Sequence, residues 1–87
     1  MKTSKAMRRF FIHLDMDGAL QRDGIGLLYE APELAYLHAC RAIPDLAAAM
    51  LRARQDPMRC RFLIENEQGE EMFEVPFSEV IREKAHH

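Results

Sequence analysis

From Arg8 to Asp15 the chain alternates: Phe10, Ile12 and Leu14 point one way, and Arg9, Phe11, His13 and Asp15 the other. A period of two with this aromatic and β-branched content predicts a strand. Asp15-Met16-Asp17-Gly18 and Arg22-Asp23-Gly24 are turn chemistry, since Gly supplies positive φ and Asp bonds its own backbone. A second strand from Ile25 to Tyr29 follows, antiparallel to the first through a long connection. Pro32 suits the start of a helix, where its missing N–H has no partner to lose. Between Glu33 and Arg54, Ala35, Ala39, Ala42, Ile43, Leu46, Ala49, Met50 and Ala53 share one helical face. His38, Arg41, Asp45 and Arg52 lie opposite, while Tyr36, Cys40, Ala47 and Leu51 widen the apolar arc. So wide an arc predicts burial on two sides. Pro44 removes a backbone hydrogen bond within this run, which predicts a kink or two short helices meeting near Ile43. Cys60, Phe62 and Ile64 then alternate with Arg61, Leu63 and Glu65 in a third strand. Asn66-Glu67-Gln68-Gly69 turns the chain into a fourth strand from Glu71 to Phe77, with Pro76 at a strand end or edge. Ser78 is placed to cap a last helical turn, Glu79 to Lys84.

These elements predict one α+β domain over residues 8–84: a four-stranded, mostly antiparallel sheet in ββαββ order, with one long helix on one face and a short C-terminal helix. Residues 1–7 read as a flexible basic tail and residues 85–87 as a second tail, in which His86-His87 are either native or a tag remnant. The helix is expected to cover Phe10, Ile12, Leu14, Cys60, Phe62, Ile64, Phe73, Val75 and Phe77. The other sheet face then carries Arg9, Phe11, His13, Arg61, Leu63, Met72 and Glu74, with Phe11, Leu63 and Met72 as an apolar centre inside a charged border.

Composition narrows the class. A length of 87 residues fits one domain, and 48% hydrophobic with 30% charged residues is ordinary for a globular chain. A net charge of -2 argues against a wholly basic nucleic-acid binder. No apolar run approaches the ~20 residues that span a bilayer, so no membrane partner is expected. Only Phe10-Phe11-Ile12 follows the basic start, too short for a secretory signal, and the expected compartment is the cytoplasm. Cys40 and Cys60 lack the spacing of a redox or zinc motif and read as buried thiols, so no metal or cofactor is expected.

The segment Phe11 to Leu20 is similar to the first motif of haloacid-dehalogenase-type phosphatases. That resemblance would make Asp15 a nucleophile and Asp17 an acid/base beside Mg²⁺. The chemistry also needs a downstream Lys and a further acidic pair, and this chain has only Lys84 after the motif and no such pair. An Asp-rich hairpin turn is the preferred reading, with phosphatase a remote alternative. His13 and His38 fall on different elements that do not converge on a zinc site. Arg8 and Arg9 form one basic group with Lys2 and Lys5, and Arg52, Arg54, Arg59 and Arg61 a second. Together they would meet phosphates, although Glu65, Glu67, Glu70, Glu71 and Glu74 make the neighbouring hairpin acidic. A nucleic-acid-associated regulator is therefore the second reading. The first is a non-enzymatic interaction module that forms a homodimer or binds another protein. It would use either Phe11, Leu63 and Met72 or the helix flank Tyr36, Cys40, Ala47 and Leu51.

Taken whole, the chain resembles the DUF6894 family. The resemblance rests on Arg9-Phe10-Phe11-Ile12-His13-Leu14, Asp23-x-x-Gly26, the Ala-rich helix entered near Ala35, Asn66-Glu67-x-Gly69 and Val75-Pro76-Phe77. It spans roughly Arg8 to Ile81. It implies a small bacterial protein of unknown function and carries over no activity, substrate or catalytic residue. This chain departs from the family pattern at Ala31, where an acidic residue is common, and at Pro44.

Overall fold

The computed structural model describes residues 6–85; Lys2, Lys5 and His86-His87 lie outside the described residues. In chain order the elements are β1 (Arg8–Met16), β2 (Ala19–Gln21), β3 (Leu27–Tyr29), α1 (Pro32–Arg52), a 3-10 turn (Pro57–Arg59), β4 (Cys60–Glu65), β5 (Glu71–Pro76) and α2 (Phe77–Ala85). All strand pairs are antiparallel, in the order β2-β1-β4-β5 with β3 also on β1.

The sheet has five strands, where the hydrophobic pattern predicts four. The reason is the turn after β1. Asp17 and Gly18 both take positive φ, 54° and 95°. A two-residue turn of that hand matches the twist of a hairpin, so the chain reverses at once and Met16 meets Ala19. β2 is exposed throughout and shows no alternation, which is why the pattern passes over it. β3 then pairs with the near half of β1, Phe10 opposite Leu27 and Arg8 opposite Tyr29. Ile25, expected to start this strand, lies instead in the loop before it.

On the other side of β1, β4 runs from Phe11 opposite Glu65 to Met16 opposite Cys60. β5 continues the sheet with Phe62 opposite Val75 and Ile64 opposite Phe73, and a bulge near Glu65 interrupts the register. Met72 is the extra residue at that irregularity rather than part of a plain alternation.

Of the two outcomes that Pro44 predicts, a kink or two short helices, the structure excludes the second: α1 runs as one helix through Pro44. Pro44 is exposed, while Ala35, Ala39, Ile43 and Met50 are buried in the core with the sheet residues. An interior proline costs about 3 kcal/mol. Burying Ile43 and Met50 returns about 1.5–3 kcal/mol each, enough to hold the helix through the missing bond. The alanines let the helix lie close above Phe10, Ile64, Val75 and Phe77, all fully buried.

α1 ends at Arg52, two residues before the expected Arg54. Arg54 N–H donates to the Leu51 carbonyl at 3.0 Å and Gln55 N–H to the Met50 carbonyl at 2.8 Å. This is a Schellman cap with Arg54, at φ 62°, in the position usually given to Gly. The wide apolar arc of α1 finds its second cover in α2 and the 3-10 turn. Phe77 sits 5.0 Å from Phe62, and Tyr36 5.1 Å from Phe73, between ring centroids. α2 begins at Phe77, so Ser78 lies in its first turn and is not the cap that its position suggests.

Candidate interaction surface

The sheet face away from α1 has a polar centre, where the sequence pattern predicts an apolar one. His13 is only 4% exposed. Its Nδ1 accepts the Asp23 backbone N–H at 2.9 Å, and its Nε2 lies 3.0 Å from Glu65 Oε1. A backbone N–H only donates, so Nε2 carries the proton and donates it to Glu65. Phe11 stacks over His13 with a 6° interplanar angle, and Leu63 is its cross-strand neighbour. Phe11 and Leu63 are therefore half-buried around a histidine. Met72 stands apart from this arrangement: its sulfur lies 3.6 Å from Asn66 Nδ2, and it lines a hollow with Arg8, Phe10 and Pro32.

Asp23 bridges the gap between β2 and β3. Its carboxylate accepts the N–H groups of Ile12 at 3.1 Å, Ile25 at 3.0 Å and Gly26 at 3.0 Å. Burial pushes the Asp23 carboxyl up, but the bonds from Gly26, Ile12 and Ile25 together outweigh it, with help from His13. The net result is a carboxyl below its ordinary value. Gly26 has φ 75°, and a Cβ there would sit 2.8 Å from Arg9 Cγ and 2.9 Å from the Phe10 carbonyl. The Arg9 guanidinium donates to the Ile25 carbonyl at 2.8 Å. Arg9, His13, Asp23 and Gly26 thus form one clasp that fixes the entry to β3.

A second polar chain crosses three strands. Arg61 on β4 donates Nε to Asp15 Oδ2 on β1 at 2.9 Å, and its Nη1 donates to Glu74 on β5. Asp15 also accepts the Gly18 N–H at 2.8 Å. The Arg61 bond and the Gly18 bond hold the Asp15 carboxyl below its ordinary value. Asp15 is thereby a turn and ion-pair residue at the end of an antiparallel hairpin, whereas the phosphatase motif it resembles needs a parallel sheet. Among the described residues no group of His, Cys, Asp or Glu is arranged to hold a metal ion. No described helix is long and apolar enough to cross a membrane.

The structure does not bring the two basic groups together. Arg8 and Arg9 start β1, while Arg59 and Arg61 flank the start of β4, which pairs with the far end of β1. Arg52 and Arg54 stand at the C-terminal end of α1. Nine strand residues, about 26 Å, separate the ends of β1. Arg59 lies 3.6 Å from Asp17 and 3.8 Å from Asp56, and Arg61 is occupied by its two carboxylates.

Two places hold several exposed apolar side chains each, besides the single ones at Met7, Leu20 and Met72. One is a groove of about 380 Å³ lined by Pro44, Ala47, Leu51, Pro57, Met58 and Ile81. Leu51, on the flank expected to bind a partner, is 64% exposed here. Ala47 is buried, and Tyr36 borders a separate hollow with Leu37 and Cys40. The other place is the β3 flank, which the sequence pattern does not single out. Ile25 is 80% exposed, and Leu27, Leu28, Leu34 and Leu37 are also exposed. The signal was present in Leu27-Leu28: neighbouring strand residues face opposite sides, so both cannot enter one core.

No curated protein and no solved structure matches the chain. A family described as "Domain of unknown function (DUF6894)" matches residues 9–78. The match takes in β1, the Asp23-Gly26 clasp, α1 and the β4–β5 hairpin. It therefore covers the segments that build the fold described above, and the chain belongs to the DUF6894 family.

Proposed function

We propose that this chain is a non-enzymatic protein–protein interaction module that self-associates. The observation that carries the reading is the contrast between its polar and apolar surfaces. The groups with chemical potential are tied into the fold: His13 to Asp23 and Glu65, Asp23 to three backbone amides, Asp15 and Glu74 to Arg61. The large apolar side chains that remain are open: Ile25, Leu27, Leu28, Leu34, Leu37, Leu51 and Met58. Exposed apolar side chains gathered into patches, rather than scattered, favour contact with another protein. Separation of the arginines into distant, partly neutralised groups weakens the nucleic-acid reading, which needs one continuous basic path.

The test is sedimentation of the full chain across a concentration series reaching high micromolar. Self-association predicts a mass that rises from one chain to two. A single-chain mass at every concentration would remove the reading.

A further inference from the structure

The two ring nitrogens of His13 face partners of different kinds. Nε2–H donates to Glu65 on β4, a carboxylate that accepts from an imidazolium as readily as from a neutral ring. Nδ1 faces the Asp23 backbone N–H at 2.9 Å, a group that only donates. Neutral imidazole satisfies both. Imidazolium carries a proton on each nitrogen, so two N–H groups would then point at each other across that 2.9 Å. His13 is 4% exposed, and Phe11 stacks over its ring. The charges nearby nevertheless favour proton uptake. Glu65 faces the ring from β4, and the Asp23 carboxylate acts on it from the loop before β3. On β1 itself, Asp15 is held by Arg61, and the Arg9 guanidinium reaches the Ile25 carbonyl. Glu74 on β5, opposite the His13 neighbour Leu63, is also held by Arg61. Two carboxylates therefore draw a proton to a ring whose Nδ1 faces no acceptor.

The geometry points to His13 as an acid-operated latch on the loop between β2 and β3. When the ring takes a second proton, Nδ1–H exchanges the Asp23 amide for an acceptor on the same residue, the Asp23 carboxylate. For the carboxylate to reach Nδ1, the Asp23 backbone has to withdraw. The bonds from its side chain to the amides of Ile25 and Gly26 tie that withdrawal to the start of β3. Gly24, where a Cβ would meet nothing within 4 Å, gives the loop room to turn. The device has two discrete arrangements, as a switch needs: amide on Nδ1 with a neutral ring, carboxylate on Nδ1 with a charged one. The first requires neutral His13, so it is complete at alkaline pH and gives way as pH falls. Imidazoles change charge between about pH 8 and 5, above the range near 4 in which carboxylates are lost. The segment that the latch holds carries Ile25 and leads into Leu27 and Leu28, all exposed apolar side chains. Every group in the latch belongs to one copy of the chain, so it stands apart from self-association.

The experiment is NMR of the full isotope-labelled chain from about pH 8 to 5. It reads the His13 ring nitrogens together with amide hydrogen exchange, corrected for the intrinsic pH dependence of exchange. At the alkaline end His13 is expected as the Nε2–H tautomer. As Nδ1 gains its proton, exchange at Asp23, Ile25 and Gly26 is expected to quicken at least about tenfold with the same midpoint. Leu63 and Ile64, in the strand between β1 and β5, keep their protection. Glu65→Gln removes one of the two carboxylates and moves the shared midpoint to lower pH. His13→Gln abolishes the step at Asp23. The coincidence of midpoints is read in the parent chain, so the test holds even where a variant does not fold. An Nδ1–H tautomer at alkaline pH, or a ring that stays neutral throughout, overturns the latch. So does a charged His13 beside a still-protected Asp23 amide, or a step that survives in His13→Gln. Loss of protection at Leu63 and Ile64 in step with Asp23 overturns it as well, because the change is then unfolding of the whole chain.

Discussion

Asp23→Ala removes one carboxylate and three backbone bonds at once. The bonds to Ile12 and Gly26 are half-buried, and the one to Ile25 is open to solvent. Two charge-assisted bonds at the low end of their range, about 1.5 kcal/mol each, make the expected loss about 3 kcal/mol. A domain of this length has about 4–13 kcal/mol in all, so the loss is large. Ile12 N–H is the costly one, because it sits mid-strand where β1 has neither β2 nor β3 beside it. Asp23→Asn keeps Oδ1 for Ile25 and Gly26 but turns a donor toward Ile12 N–H, for an expected loss of about 1–2 kcal/mol. The pH dependence has a definite sign. The Asp23 carboxyl lies below its ordinary value in the folded chain, so its contribution is complete above the unfolded value. It is lost as pH falls below about 4 and the folded carboxylate is protonated. Asp15 adds acid sensitivity of the same sign. Urea unfolding followed by circular dichroism, at one protein concentration and several pH values, measures both effects. An Asp23→Ala variant within about 0.5 kcal/mol of the parent would refute the reasoning. So would an Asp23→Asn variant whose stability declines in acid as steeply as the parent's.

Three further substitutions separate the forces in the fold. Gly26→Ala places a Cβ 2.9 Å from the Phe10 carbonyl at φ 75° and is expected to cost more than about 2 kcal/mol in urea unfolding. Gly24→Ala, where nothing lies within 4 Å, serves as its neutral counterpart. Arg54→Gly relieves the left-handed position in the α1 cap and is expected to stabilise by about 1 kcal/mol, read as a rise in Tm of about 4–8 °C. Ile43→Ala is expected to cost about 2–5 kcal/mol because the side chain is fully buried. A milder effect at Ile43 than at exposed Leu51→Ala would contradict the packing of α1 on the sheet.

Local chemistry along the chain already dictated much of this molecule. Alternation in Phe10-Ile12-Leu14 and in Phe62-Ile64 marked β1 and β4 and their buried faces, because a strand shows each face to a different medium. The Ala-rich run marked α1, and the Asn66-to-Gly69 turn marked the hairpin that follows. The order of these segments also carried the family. Three things were decided only when distant segments met. β2 exists because Asp17 and Gly18 turn the chain back onto β1, although its own residues are exposed and unpatterned. Pro44 stays inside one helix because Ala35, Ala39, Ile43 and Met50 are packed in the core, and burial there exceeds the cost of a missing amide bond. His13, which the pattern assigns to an open face, is buried because Asp23, from the loop between β2 and β3, and Glu65, from β4, arrive to take both ring nitrogens. Periodicity records which side of an element meets water, and it is blind to which polar groups will find each other across the fold.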